Sequence, residues 1–523
     1  MLFESVHANP LRLLQQAEQL MARGRRGEAA SRYTTLTGNP EFSALAHLRL
    51  SLIASADGRH RDAVAHALSA YEARLPDADL MEMLCKRLHT LGEYETAIAC
   101  ASDPTVLKYC TGSTAFALGR LMNAAFQPAL ALQLLRRAQG QGMDGAAVRY
   151  LIASTQLQLG LRDEAEAGLE HVLRMDPTYA QAHWALSRVR TQTLARNHVE
   201  QVRAVISRHT GVPADLPMLY YALFKELDDI GETDAAWTAL EQGMRSRRRL
   251  LDFEPAVEQR LFDALSRTQA EDRPDTPPDG PCPIFIVGLP RSGTTVLERI
   301  LGAHPQIADA GELHDFTQQL RWSCDLAGGN FIDAELADRA HDLDWAELGQ
   351  RYLSHTQWRA GGKAFYTDKM PANYLLLGYI LQALPHARVL HMTRGPMDTC
   401  FSNLKMLFGD AYPYSYDQLE MAAHYRNYRL LMAHWHAQFP GRIHDVSYAD
   451  LVSEPEATGR DVLAYCDLDW HDGLTAIEER DGTITTASAQ QVREPIHARY
   501  LDQWKRYQAQ LEPMRAKLGI YGR

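Results

Sequence analysis

No stretch of the chain approaches the ~20 consecutive apolar residues that a membrane-spanning helix needs. Residues 1–10 include Glu4 and His7 and lack the apolar run of a leader, so no membrane span and no export signal are expected, and the expected location is cytoplasmic. A basic surplus is missing too. Lys and Arg number 54 against 65 Asp and Glu, a formal charge of −11, which argues against non-specific binding of nucleic acid or acidic membrane by the surface as a whole, though not against a local basic pocket. Cysteine is sparse: seven residues, scattered and odd in number, with neither CxxC nor Cys/His ligand spacing, fit reduced thiols better than disulfides or zinc. The 21 histidines do not pair with carboxylates at i, i+4 in a ligand pattern, so no metal is expected. What remains is an ordinary globular composition, 46% hydrophobic and 23% charged, on 523 residues. That length is too great for one core and predicts two or three domains.

The first half is organised by a period of 34. Gly24, Gly58 and Gly92 are 34 apart, Gly160 lies 68 further on, and each is followed five residues later by an alanine: Ala29, Ala63, Ala97 and Ala165. Gly231 with Ala236 continues the pattern after 71 residues, and the skipped unit near 126 is expected at Ala124 with Ala129. Glycine in the turn of a helix hairpin and a small residue packing its second helix, at this period, resemble the tetratricopeptide repeat (TPR). A single hairpin cannot bury its apolar face, so several stacked copies are required. The array is expected over residues 11–250, within a first domain of 1–250. The resemblance implies a concave surface that grips a peptide or protein.

Residues 268–283 hold five prolines and five charges in sixteen positions and cannot form a packed helix, so 251–283 is expected to be a connecting helix and linker. Beyond it, apolar β-branched runs alternate with helical patterns. Strands are expected over 284–287, 364–367, 388–392 and 442–447, with helices over 294–303 and 373–384 between them. That alternation predicts a parallel sheet with ligands at the carboxyl ends of its strands.

The loop after the first of these strands, Gly288-x4-Gly293-Thr294-Thr295, has the spacing of a phosphate-binding P-loop, but Thr294 stands where the lysine that reaches the β- and γ-phosphates belongs. Without that lysine the loop suits a compact oxyanion, held by backbone N–H groups, Arg291, Ser292 and the two threonines, better than a nucleoside triphosphate. A plain strand-to-helix turn is the alternative. A second anion site is expected where Arg394 follows the 388–392 strand and Ser402 lies two helical turns on, since guanidinium binds phosphate bidentately. There the alternative is an arginine that pairs with Asp398.

Together these motifs resemble the sulfotransferases that use 3′-phosphoadenosine 5′-phosphosulfate (PAPS), in particular bacterial tetratricopeptide-repeat sulfotransferases and, more distantly, tyrosylprotein sulfotransferases. The implied fold is an all-α TPR solenoid followed by a P-loop-like α/β domain over 284–523. Residues 303–305 (Ala-His-Pro) through Gly311-Glu312, and 488–492 with Pro495 and Trp504, carry the likeness further. By resemblance, Arg291, Ser292, Gly293, Thr294 and Thr295 hold the 5′-phosphosulfate, with Arg291 also stabilising charge on the sulfuryl group. Arg394, Ser402 and Ser488 hold the 3′-phosphate, and Tyr448 lies beside the nucleotide or is a plain core aromatic.

Sulfuryl transfer also needs a base for the acceptor hydroxyl. Glu312 is the candidate. Tyrosylprotein sulfotransferases carry two glutamates there and use the second, where this chain has Leu313, so His314 remains an alternative. Lys369 resembles the lysine that neutralises the bridging oxygen. The implied reaction moves the sulfuryl group from PAPS to a hydroxyl acceptor, such as a protein or peptide tyrosine held by the repeats, without metal. A non-catalytic nucleotide-binding scaffold and a P-loop kinase or NTPase are the other functions weighed. The aromatic run at 412–416 reads as a polar surface loop or as a flap on the acceptor side.

Overall fold

The computed structural model describes residues 9–74, 77–271, 280–480 and 493–520. The first half is all helix. Hairpins such as Pro10–Ala22 with Arg26–Leu36, Ser43–Ala56 with His60–Glu72, and Asp215–Asp229 with Thr233–Arg248 follow one another, and a further helix covers Pro255–Leu265. The physical basis of the period is visible in the turns. Gly24, Gly58, Gly92, Gly160 and Gly231 all have φ between 74° and 84°, a region that glycine enters without a Cβ penalty. The unit near 126 corrects the expected register. Phe126, not Ala124, occupies the turn, with φ 56°, and the packed alanine is Ala131, fully buried, while Ala129 is exposed. The 34-residue spacing is therefore unbroken from residue 24 to residue 160, with one non-glycine residue in the left-handed turn.

The described chain forms two compact units. One comprises residues 1–151 with 314–330 and 342–344. Its core runs from Leu48 and Ala63 through Leu84, Leu88 and Leu118 to Leu134 and Ala138, with Trp322 packed against it. Arg61 ties the later segment in by donating to the carbonyls of Trp322 (3.0 Å) and Ser323 (2.6 Å).

The second unit comprises residues 152–313, 331–341 and 345–523. It contains a five-stranded parallel sheet: β1 (Cys282–Val287), β2 (Ile307–Ala308), β3 (Phe365–Asp368), β4 (Arg388–Thr393) and β5 (Ile443–Ser447), in the order β2-β3-β1-β4-β5. The central strand β1 buries Ile284, Phe285, Ile286 and Val287 completely, as a strand covered on both faces must. It starts two residues earlier than the apolar run suggests, because the Cys282 N–H bonds the Ala364 carbonyl (2.9 Å) and Pro283 sits opposite Tyr366. The expected linker thus gives up its last two residues to the sheet. Residues 373–384 form no single α-helix. A 3₁₀ turn over Pro371–Leu376 precedes a short α-helix, Leu377–Ala383.

The later repeat helices belong to this same unit. Tyr221, fully buried, donates its hydroxyl to the Leu404 carbonyl (3.0 Å), and Asp228 accepts from Tyr507 (2.7 Å) and Arg506 (2.6 Å). Arg248 pairs bidentately with Glu420 at 2.8 and 2.9 Å.

Candidate active site

Because all five strands are parallel, the residues that follow them gather at one sheet edge. In spatial order these are Glu312 beyond β2, Lys369 after β3, the 288–293 loop after β1, Arg394 after β4 and Tyr448 after β5. The order reverses on either side of β1, which opens crevices beside its carboxyl end.

The loop is built for a close backbone approach. Gly288 has φ 147°, and a Cβ there would lie 2.7 Å from the Met392 carbonyl oxygen. Gly293 has φ 112°, and its Cβ would lie 2.4 Å from the Tyr448 ring. Arg291 holds φ 69° between them. The helix Thr294–Gly302 starts directly after the loop, so its first free N–H groups and positive dipole end face the same space. Ser292, Thr294 and Thr295 are all buried there. Ser292 Oγ and Arg394 Nε are buried without a hydrogen-bond partner among the described residues. Buried donors left open cost stability unless a ligand satisfies them.

Arg394 is clamped over the Tyr448 ring at 4.5 Å, donates to the Arg291 carbonyl (3.1 Å) and also bonds the Tyr500 carbonyl. Its nearest approach to Asp398 is 3.7 Å, so the carboxylate supports it without forming a close pair. Ser402 Oγ lies 3.4 Å from Arg291 Nε. Arg291, Arg394, Ser402, Tyr448, Gly293 and Thr295 line one cleft, and Tyr448 also belongs to the buried core beneath it. Ser488 lies outside the described residues.

Three further cations bear on this cleft, Lys405 as a lining residue and two arginines through their charge alone. Lys405, on its wall, has its ammonium pushed down to about 8 by burial, reinforced by the charges of Arg291 and Arg394 and opposed by Asp228. Arg188, from the repeat helix Ala180–Val189, acts with burial and Arg394 to lower the Arg291 guanidinium to about 10, which still leaves it charged at neutral pH. Arg506 contributes through Lys405. Lys405 follows the helix Pro396–Leu404, whose facing positions include polar Asp398 and Ser402, and gives no sequence signal of its own. Arg188 gives none, because its helix comes from the other half of the chain. A dianion in the cleft favours charged Lys405, so binding should take up a proton above pH 8. Affinity for an adenosine bisphosphate is expected to fall as pH rises from about 8 to 10, by up to about tenfold per unit, and the Lys405→Arg variant should flatten that slope. Calorimetric titration across this range checks it.

On the other side of β1, Lys369 is fully buried and its Nζ bonds Glu312 Oε1 at 2.7 Å, with Glu298 3.8 Å away. Asp368 is not its partner: that carboxylate accepts from Tyr352 (2.9 Å) and Asn373 (3.1 Å). Glu298, unflagged by the sequence motifs, accepts from Thr367 Oγ1 (2.9 Å) and the Gly311 N–H (3.0 Å), which holds the turn before Glu312 in place. Burial raises its carboxyl above the usual range, against the pull of Lys369. The Gly288 N–H bonds the Pro371 carbonyl (3.1 Å), which ties the Lys369 segment directly to the loop. Glu312 is therefore brought to the site. His314 heads the helix Asp315–Ser323, which belongs to the other compact unit.

The 412–416 run is not a polar surface loop. Pro413–Tyr416 is a 3₁₀ turn with Tyr414 and Tyr416 buried, and Tyr414 stacks on His424 at 3.4 Å. Tyr412 packs edge-on against Phe408 (4.9 Å) and Phe331 (5.9 Å). Its phenol is raised by burial and by the charge of Glu312.

Residues 283–472 match the model of the sulfotransferase family. Over 248 residues the chain is 31% identical to an uncharacterized protein of Aquifex aeolicus (strain VF5), a match covering 44% of this chain and 31% of that protein, so the chain spans about a third of that relative's length. It is 26% identical to protein-tyrosine sulfotransferase 1 of Danio rerio over 267 residues, covering 45% of this chain and 71% of that one. Among solved structures, the sulfotransferase domain from the curacin biosynthetic pathway aligns at 18% identity with a TM-score of 0.32, covering 46% of this chain and 98% of that domain.

Proposed function

We propose that the chain is a PAPS-dependent sulfotransferase acting on a hydroxyl acceptor, with a phenolic hydroxyl such as protein or peptide tyrosine as the favoured class. The observation that carries this is the pairing of an ion pair between buried Lys369 and partly exposed Glu312 with a cation-lined cleft on opposite sides of one glycine loop. A nucleotide-binding scaffold needs the cleft alone. The fit to the donor rests on the open Arg394 Nε in a cleft that Arg291 and Lys405 also line, while the loop glycines let the backbone pack against Met392 and Tyr448.

PAPS supplies an activated sulfuryl group on a 5′-phosphate and a separate 3′-phosphate. The loop N–H groups, Arg291, Ser292, Thr294 and Thr295 would face the first of these, and Arg394, Ser402 and Lys405 the second. Arg394 stacked on Tyr448 gives the nucleotide side a rigid guanidinium. Glu312 would take the acceptor proton, and Lys369, bonded to Glu312 at 2.7 Å, would meet negative charge growing on the bridging oxygen. Tyr412, whose phenol feels the charge of Glu312 and whose ring packs edge-on with Phe331 and Phe408, supports a ring-bearing acceptor. The charge that develops is met by arginine, lysine and backbone donors, and these roles use no metal.

Arg394→Ala tests the nucleotide assignment. The variant should lose at least about 2 kcal/mol of binding to adenosine 3′,5′-bisphosphate while AMP binding, which lacks the 3′-phosphate, changes little. Equal losses for both ligands would remove Arg394 from the 3′-phosphate.

A further inference from the structure

A second cluster of ligating side chains lies on β4, β5 and the helix Gln418–Gln438, away from the Glu312–Lys369 pair. His391 and Asp445 are register partners on neighbouring parallel strands, with Nδ1 2.6 Å from Oδ1. His436 brings its Nε2 to 3.1 Å from the same oxygen. The three ligand atoms all lie within 4.8 Å of one another. In a four-coordinate zinc site, bonds of about 2.0–2.2 Å place neighbouring ligand atoms roughly 3.3 Å apart, so side-chain shifts of less than about an ångström would admit the ion.

Two further observations separate this cluster from a chance ion pair. His391 is buried and its second nitrogen is held by the Tyr428 hydroxyl, the outer hydrogen bond that fixes the tautomer of metal-binding imidazoles. The cluster also opens onto a cavity of about 320 Å³ that Thr393 and Arg429 help to line, which leaves room for a water-derived or anionic fourth ligand.

We propose that His391 Nδ1, His436 Nε2 and the Asp445 carboxylate form a binding site for a divalent cation of the zinc class. Two imidazoles and one carboxylate suit zinc and its neighbours better than magnesium or calcium, which prefer all-oxygen cages. Leu289, at the start of the glycine loop, lines the same cavity as His391 and Tyr428. The site stands whatever the cleft binds.

The test is calorimetric titration of the chelator-treated full-length chain with Zn²⁺, together with Co²⁺ absorption. One zinc per chain is expected, with a dissociation constant of about 10 µM or below, and an intense visible cobalt band of four-coordinate character. His436→Ala and Asp445→Asn, both on partly exposed side chains that the fold can spare, should each weaken binding at least about tenfold. Tyr428→Phe should weaken it about tenfold without changing stoichiometry. Magnesium should not compete. Zinc binding that the His436→Ala/Asp445→Asn double variant leaves unchanged would assign the ion to other histidines and overturn the proposal, as would the absence of binding at about 100 µM zinc.

Discussion

Replacing Glu312 by alanine is expected to lower turnover about 10²–10⁴-fold while adenosine 3′,5′-bisphosphate affinity stays within about twofold. The split follows from where Glu312 sits. It lies beyond β2, on the far side of β3 from the loop, and its carboxylate bonds Lys369 at 2.7 Å rather than any residue of the cation-lined cleft. Loss of the carboxylate does not strand the buried lysine, because Glu298 already lies 3.8 Å away and can take the charge. The fold should therefore survive, and the defect should appear in kcat. Glu312→Gln keeps a hydrogen-bond acceptor for Lys369 but cannot take a proton, so it should be about as slow as the alanine variant. Steady-state kinetics with a calorimetric control for the nucleotide measures both. Wild-type turnover in either variant would move the base elsewhere, with His314 the next residue to test.

The second large effect concerns the repeats. The fragment 251–523, cut where helical repeats give way to the linker, is expected not to fold cooperatively. Tyr221 fills a fully buried position and holds the Leu404 carbonyl, at the end of the helix that carries Ser402. Asp228 anchors Tyr507 and Arg506, and Trp237 packs on Tyr507 at 5.8 Å. Emptying one buried aromatic site costs about 3–5 kcal/mol. The cut empties several at once, against a total stability of only about 5–15 kcal/mol for a typical domain. Denaturant melts followed by circular dichroism should show one cooperative transition for the full chain's second unit and none for the fragment. In the full chain, Tyr221→Ala should lower the midpoint, and Tyr221→Phe, which loses only the hydroxyl, should do so less. A fragment 251–523 that melts cooperatively and still binds the bisphosphate would show that the later repeats are dispensable.

Much of this was legible in the sequence because local chemistry decided it. The glycine loop, the strands on either side of it and the residues just beyond each strand end follow from apolar runs and turn residues, and parallel topology does the rest by bringing strand ends to one edge. Strand ends shifted by a residue or two where a partner strand's hydrogen bonds extended them, as at Cys282 and Thr393. The repeat period is legible as well: strict 34-residue spacing from Gly24 and Ala29 falls on Phe126 and Ala131, although the small residues nearby point to Ala124 and Ala129.

What the sequence hid was set by tertiary contact. Lys405, Arg188 and Glu298 carry no motif and acquire meaning only when separate elements converge. His391, His436 and Asp445 lie 45 and 9 residues apart along the chain, with no ligand spacing, yet meet across two strands and a helix. The tyrosines at 412–416 look like a polar loop in composition, but their rings are large enough to be drawn inside once His424 and Phe408 supply aromatic partners.

The most direct test of the central claim is to incubate the full chain with PAPS and measure adenosine 3′,5′-bisphosphate release together with sulfated product by mass spectrometry. The acceptor arms should be a tyrosine peptide, a serine peptide, a simple phenol and a sugar. Stoichiometric bisphosphate and sulfated product are expected with a phenolic acceptor, abolished by Arg291→Ala and unaffected by a chelator in the assay. Absence of transfer to every acceptor, with Mg²⁺-dependent ATP hydrolysis that Arg291→Ala removes, would contradict the claim and make the loop a nucleoside triphosphate site.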